Sequence, residues 1–146
     1  MNYDGHSFIN ISRFPARRAI LKTITNEEDT IMPIIKVDWS AKKLSSLEKE
    51  AFIAKTVDIV ATAVKAPDHV VNVLIRDIPE DSCRFPAAVF TLSWSKTPDR
   101  GPEARAQITE QLTQYVTGIS DIKPEKVVLF FLNLDGDCVG VGGKMR

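Results

Sequence analysis

The chain has 146 residues, 44% of them hydrophobic and 26% charged, and its 19 basic and 19 acidic side chains cancel to a formal charge of zero. This length is about that of one domain, and the composition is typical of a globular protein. A neutral chain lacks the basic excess of proteins that bind nucleic acid. No apolar run approaches the roughly 18 residues of a membrane-spanning helix. We therefore predict no nucleic-acid partner and no membrane partner.

The cysteine and histidine content argues against disulfides, metals and cofactors. Cys83 and Cys138 form neither a disulfide framework nor the paired spacing of a zinc site. We expect two free thiols in a reducing compartment, and hence a cytoplasmic protein. The only histidines are His6 and His69, and the sequence contains no phosphate loop and no G-x-S-x-G motif. The sequence therefore predicts a protein without a cofactor or a metal ion.

Residues 1–31 differ from the rest of the chain and predict an N-terminal extension. They have little periodicity, and the acidic cluster at 27–29 counts against a targeting peptide. The codons for this cluster are rich in purines and precede Met32 at about the distance of a bacterial ribosome-binding site. We therefore hypothesise that residues 1–31 are an untranslated leader read as protein and that translation starts at Met32. The alternative is a translated extension.

Regular structure is predicted from Met32 onward. Residues 33–39 predict a strand. Ser45 and Glu48 have the spacing of a capping box, and apolar residues at helical spacing predict a helix from about 46 to 65. After Pro67, residues 70–75 predict a buried strand. A strand–helix–strand unit of this kind implies parallel pairing and a right-handed connection.

The same pattern recurs in the second half of the chain. Its predicted elements are a strand at 89–94, a helix that begins at Gly101–Pro102 and a strand at 127–132, and Trp39-Ser40 recurs as Trp94-Ser95 at an offset of 55 residues. We predict an α/β (α+β) fold in which residues 32–146 form a duplicated β-α-β, with repeats at 33–84 and 86–146. The two repeats form one four-stranded sheet with both helices on one face.

The glycine-rich tail and the uncovered face of the sheet favour an oligomer. Residues 138–143 predict either a flexible end or a short strand that adds to the sheet of a neighbouring subunit. A sheet covered by helices on one face leaves the other face in need of a partner.

Over residues 32–146 the sequence resembles the tautomerase superfamily, in its fused form similar to macrophage migration inhibitory factor. The resemblance is carried by the Met32-Pro33 start of the first strand, the duplicated β-α-β unit, residues 124–127 before the last main strand, and the glycine-rich tail. It implies a homotrimer of such duplicated units.

The resemblance also implies a chemistry, because the catalyst of this family is an amino-terminal proline. A free α-amino group titrates near 7.7–8.0, and burial and nearby cations lower that pKa, which produces a general base near neutral pH. Pro33 matches the position of this proline. The implied activity is cofactor-free keto–enol tautomerisation or isomerisation of a small 2-oxo acid. Lys65 and Arg100 would bind the substrate carboxylate, and Phe130 would line the pocket.

Two alternatives remain open at this point. A protonated Pro33 would act as an acid in a decarboxylase, hydratase or dehalogenase of the same superfamily. Alternatively, Pro33 is blocked because it is internal in the 146-residue chain, where its nitrogen is an amide without basicity. The protein would then be a non-catalytic trimeric scaffold or binding module. Lys65 also suits the end of a helix as a purely stabilising charge.

Overall fold

The computed structural model of the chain describes residues 32–145, so the predicted extension at 1–31 lies outside the described residues. Within these residues, two α-helices and six strands follow in the order β1 Ile34–Trp39, α1 Ser46–Val64, β2 Asn72–Asp77, β3 Ala88–Ser95, α2 Pro102–Ile119, β4 Val127–Leu134, β5 Gly140–Val141 and β6 Lys144–Met145.

Helix α1 begins at the predicted capping box and ends at a left-handed residue. The Ser45 hydroxyl accepts a hydrogen bond from the Glu48 amide at 3.2 Å, and the Glu48 carboxylate accepts one from the Ser45 amide at 2.6 Å. These hydrogen bonds lower the pKa of Glu48. At the other end, Lys65 has φ 54° and ψ 41°, which reverses the backbone and stops the helix at Val64.

The main sheet has the strand order β2-β1-β3-β4. Strand β1 is parallel to β2, β3 is parallel to β4, and β1 and β3 are antiparallel. The sheet therefore consists of two β-α-β units joined at its centre. This confirms the predicted fold class, in which two β-α-β repeats share a four-stranded sheet.

The hydrophobic core lies between the two helices and one face of this sheet. Alternate residues of the central strands are fully buried on that face, and α1 and α2 cover them with apolar side chains. The largest fully buried side chains of the described residues are Trp39, Trp94, Phe52, Phe90, Ile35, Leu92, Ile108 and Leu112.

The other face of the sheet is open in the single chain. Its apolar side chains are between 37% and 53% exposed, and they are Leu74 on β2 and Val128, Phe130 and Leu132 on β4. Strand β2 was predicted as a buried strand at 70–75, but it begins at Asn72, and of its residues Val73 is buried while Ile75 and Asp77 are half-buried. The physical reason is that β2 is an edge strand whose second face is not covered by a helix.

The tail forms a small hairpin of its own. Strands β5 and β6 pair antiparallel around Gly142 and Gly143, whose φ values of 59° and 81° suit a tight two-residue turn. Within residues 32–145, no helix has the length and apolar character needed to cross a membrane.

Candidate functional site

Pro33 lies at the start of β1, where it is buried between two neighbouring strands. Its carbonyl accepts a hydrogen bond from the Asn72 amide of β2 at 2.9 Å. On the other side, β1 pairs with β3 as far as Ile34 opposite Ser93, so one further step of this register places Pro33 beside Trp94. By the alternation of a strand, both residues face the helix-covered side of the sheet.

Trp94 is fully buried and is oriented by the neighbouring strand. Its indole N–H donates to the Asn133 side-chain oxygen at 3.2 Å, because Asn133 is the register partner of Trp94 on β4. The Arg105 guanidinium donates to the same oxygen at 3.4 Å. Asn133 was not predicted as a site residue, because its contact with Trp94 depends on the register of β3 and β4.

Arg100 is a buried cation next to this tryptophan, with 5% of its surface exposed. Its Nη1 donates to the Ser95 carbonyl at 2.9 Å and to the Ser95 hydroxyl at 3.0 Å. The guanidinium carbon lies 5.9 Å from the Trp94 ring centroid, within the range of a cation–π contact. Burial lowers the pKa of Arg100 and the Asp99 charge opposes this, but a guanidinium remains charged in proteins.

Lys65 extends toward the same end of the molecule from the end of α1. Its side chain is 79% exposed, and Nζ lies 3.5 Å from the Asp99 carboxylate. Both residues line a groove of about 370 Å³ together with Glu103 at the start of α2. Pro33 and Arg100 do not line this groove. Arg100 is connected to it through the adjacent Asp99.

The fourth predicted residue, Phe130, lies elsewhere in the single chain. It lies on β4 as the register partner of Thr91 on β3, and it is 53% exposed, so its side chain faces the open side of the sheet. The structure therefore places Pro33, Lys65 and Arg100 at one end of the fold and Phe130 on the opposite face. We refer to Pro33, Lys65, Trp94 and Arg100 as the proline-end site.

The groups that could bind a metal ion are dispersed. Among residues 32–145, no three His, Cys, Asp or Glu side chains are grouped so that they could hold a metal ion. Cys83 and Cys138 are both free thiols.

No family model matches the chain, and no curated protein matches its sequence. Solved structures, in contrast, share its fold. The structure of Pt0534 inactivated by 2-oxo-3-pentynoate superposes with a TM-score of 0.67 at 19% identity, covering 77% of this chain and 94% of that one. A symmetric trimer of fused 4-OT gives a TM-score of 0.65 at 15% identity, with the same coverage of 77% and 94%.

A macrophage migration inhibitory factor-like protein from Entamoeba histolytica gives a TM-score of 0.66 at 13% identity, covering 79% of this chain and 99% of that one. The chain has the fold that these solved structures share. The shared fold extends over nearly the whole of each solved chain, 94% in the first two and 99% in the third. The predicted resemblance is thereby confirmed at the level of the fold.

Proposed function

We propose that the chain is a cofactor-free keto–enol tautomerase or isomerase of a small 2-oxo acid, with Pro33 as an amino-terminal general base. The observation that supports this most directly is the burial of Pro33 beside Trp94, at the end of the sheet that also carries Arg100 and Lys65. In a chain that begins at Pro33, its nitrogen is a secondary amine. Burial and nearby positive charge then lower the pKa of this amine toward neutrality.

In this proposal the two cations have different tasks. Lys65 is exposed and can move, so it meets the incoming carboxylate. Arg100 is buried and is fixed by two hydrogen bonds from its Nη1 to Ser95, so it supplies a stationary positive charge. A stationary charge stabilises the developing enolate without reorganising during the reaction. Pro33 takes a proton from the carbon next to the carbonyl and returns it elsewhere on the substrate.

We further propose a cytoplasmic homotrimer in which the open face of the sheet contacts a neighbouring copy. A fused 4-OT of the same fold is a symmetric trimer, and the open face carries the apolar side chains Val128, Phe130 and Leu132. Phe130 can line a pocket only at such a contact, because its own chain places it on the face opposite Pro33.

The decisive test is covalent labelling with 2-oxo-3-pentynoate, the compound that inactivates Pt0534. A secondary amine adds to the activated triple bond and retains the whole reagent, whereas an amide nitrogen does not react. We expect the first residue of the chain that begins at Pro33 to gain the mass of one molecule of 2-oxo-3-pentynoate. The labelled chain should then no longer catalyse ketonisation of phenylpyruvate or 2-hydroxymuconate enols.

The control compares the secondary amine of proline with the primary amine of alanine at the same position. The matched Pro33→Ala chain keeps a primary amine at the same place, and we expect it to ketonise these enols far more slowly. A Pro33 chain that is neither labelled nor faster than Pro33→Ala would refute the proposal.

A second candidate function is favoured by the internal position of Pro33 in the 146-residue sequence. If the native protein retains residues 1–31, its Pro33 nitrogen is an amide, and the protein is a non-catalytic scaffold or binding module. The intact mass of the native protein distinguishes the two candidates. For an amino-terminal Pro33, a pKa below the ordinary α-amino value supports a base, and one above it supports the acid of a decarboxylase or hydratase.

A further inference from the structure

Acidic side chains share the proline end of the fold with the two cations. The Asp99 carboxylate lies 3.5 Å from Lys65 Nζ and directly precedes Arg100 in the chain. Glu103 lines the same groove as Lys65 and Asp99. The Asp99 carboxylate is therefore already paired with Lys65, one of the two cations that would bind a substrate carboxylate.

The net charge around this groove is small. Three charged side chains line the groove, and Arg105 Nε donates to the Arg100 carbonyl at 3.1 Å. We refer to these four residues and Arg100 as the charge cluster, which consists of Lys65, Asp99, Arg100, Glu103 and Arg105. Its three cations and two anions leave one net positive charge. One bound carboxylate neutralises this charge, so a second carboxylate on the same ligand finds no net attraction and is repelled by Asp99 and Glu103.

We propose that Asp99 determines the substrate class of this site by selecting monocarboxylates over dicarboxylates. This inference rests on the proposed function, because it concerns the substrate of that enzyme. Its physical basis is that Asp99 offsets the attraction of Lys65 and repels a second anionic group a few ångströms away. Interactions over such distances near a protein surface change affinity severalfold at physiological salt.

The test compares hexanoate with adipate, which have six carbons each and differ in the second carboxylate. Binding is measured by calorimetry and by ligand-dependent shifts in melting temperature. The chain that begins at Pro33 is used if 2-oxo-3-pentynoate labels it, and the full chain otherwise. We expect hexanoate to bind more tightly than adipate. Asp99→Asn should improve adipate binding relative to hexanoate about fivefold.

A matched control is available on α1. Lys55 and Asp58 form an ion pair of similar length, 3.6 Å, with side chains that are 50% and 66% exposed. Asp58→Asn removes the same charge away from the proline-end site, so we expect it to leave the hexanoate-to-adipate ratio unchanged.

Each outcome of the test decides the proposal. The selectivity role of Asp99 would be overturned if Asp99→Asn left the hexanoate-to-adipate affinity ratio unchanged, or if Asp58→Asn changed it equally. Absence of binding of both anions would also overturn it. Because binding needs no free Pro33 nitrogen, these results are separate from the labelling result. Labelled Pro33 without selectivity would refute only this inference, and selectivity without labelling would refute only the proposed catalysis.

Discussion

The left-handed backbone of Lys65 at the end of α1 allows a specific prediction about stability and function. Among residues 32–145 it is the one non-glycine residue with a positive φ, 54°. The Ala66 amide donates to the Ala61 carbonyl at 2.9 Å and the Lys65 amide to the Thr62 carbonyl at 3.4 Å. This is the Schellman arrangement that closes many helices, and its left-handed position is usually occupied by glycine.

The change in the free energy of unfolding on Lys65→Gly has two opposing contributions. A side chain in the left-handed region costs roughly 1–2 kcal/mol, which a glycine avoids. The ion pair with Asp99 is 79% exposed on the lysine side and 53% on the aspartate side, and pairs this exposed contribute less than about 0.5 kcal/mol. We therefore expect Lys65→Gly to stabilise the protein by about 1 kcal/mol, which raises its melting temperature by about 4 °C.

The assay is urea unfolding of the full chain and of two variants at this position. Lys65→Ala loses the ion pair and keeps a Cβ in the left-handed region, so it serves as the matched control for Lys65→Gly. We expect Lys65→Gly to be about 1 kcal/mol more stable than Lys65→Ala. Equal stability of the two variants would refute the backbone argument. If the ammonium binds substrate as proposed, both variants lose carboxylate affinity to the same extent.

Two further predictions concern α1. Thr56 is fully buried, and its hydroxyl has no hydrogen-bond partner among the described residues, so we expect Thr56→Val to leave the free energy of unfolding unchanged or raise it by up to about 1 kcal/mol. A clear loss of stability in urea unfolding would show that the hydroxyl has a partner. Because hydrogen bonds from Ser45 lower the pKa of Glu48, its contribution is present above the ordinary value of 4.5 and is lost as the pH falls through the lowered pKa. Glu48→Gln should therefore lose less stability than the parent chain when the pH is lowered below 4.5, as followed by circular dichroism, and an identical acid profile would contradict this.

The elements that depend on local rules were predictable from the sequence. The capping box at Ser45 fixes the start of α1, since its hydrogen bonds join residues three apart. The recurrence of Trp39-Ser40 as Trp94-Ser95 gave the duplication, because equivalent strands of the two repeats bury equivalent side chains. At the same offset of 55 residues, Ala88 occupies the place of Pro33. The proline is therefore present in only one of the two repeats.

Features that depend on distant parts of the chain were not predictable in this way. The ion pair between Lys65 and Asp99 joins residues 34 positions apart, and no local pattern indicates it. The hydrogen bond from Trp94 to Asn133 needs the exact register of β3 and β4. The half-exposed state of β2 follows from its place at the edge of the sheet, which its apolar sequence does not specify.

Phe130 shows how strand geometry limits the site. Successive side chains of a strand point to opposite faces, and Phe131, the next residue along β4, packs 5.5 Å from Trp94 on the covered face. No rotamer of Phe130 crosses the sheet to reach that side. A one-residue shift of β4 would bring it there, but it would also expose Phe131 and Leu129 and separate Asn133 from Trp94. A role for Phe130 in the proline-end site therefore requires a second copy of the chain. Phe130→Ala should affect catalysis only under conditions in which the protein is oligomeric, which kinetics at graded protein concentrations can test.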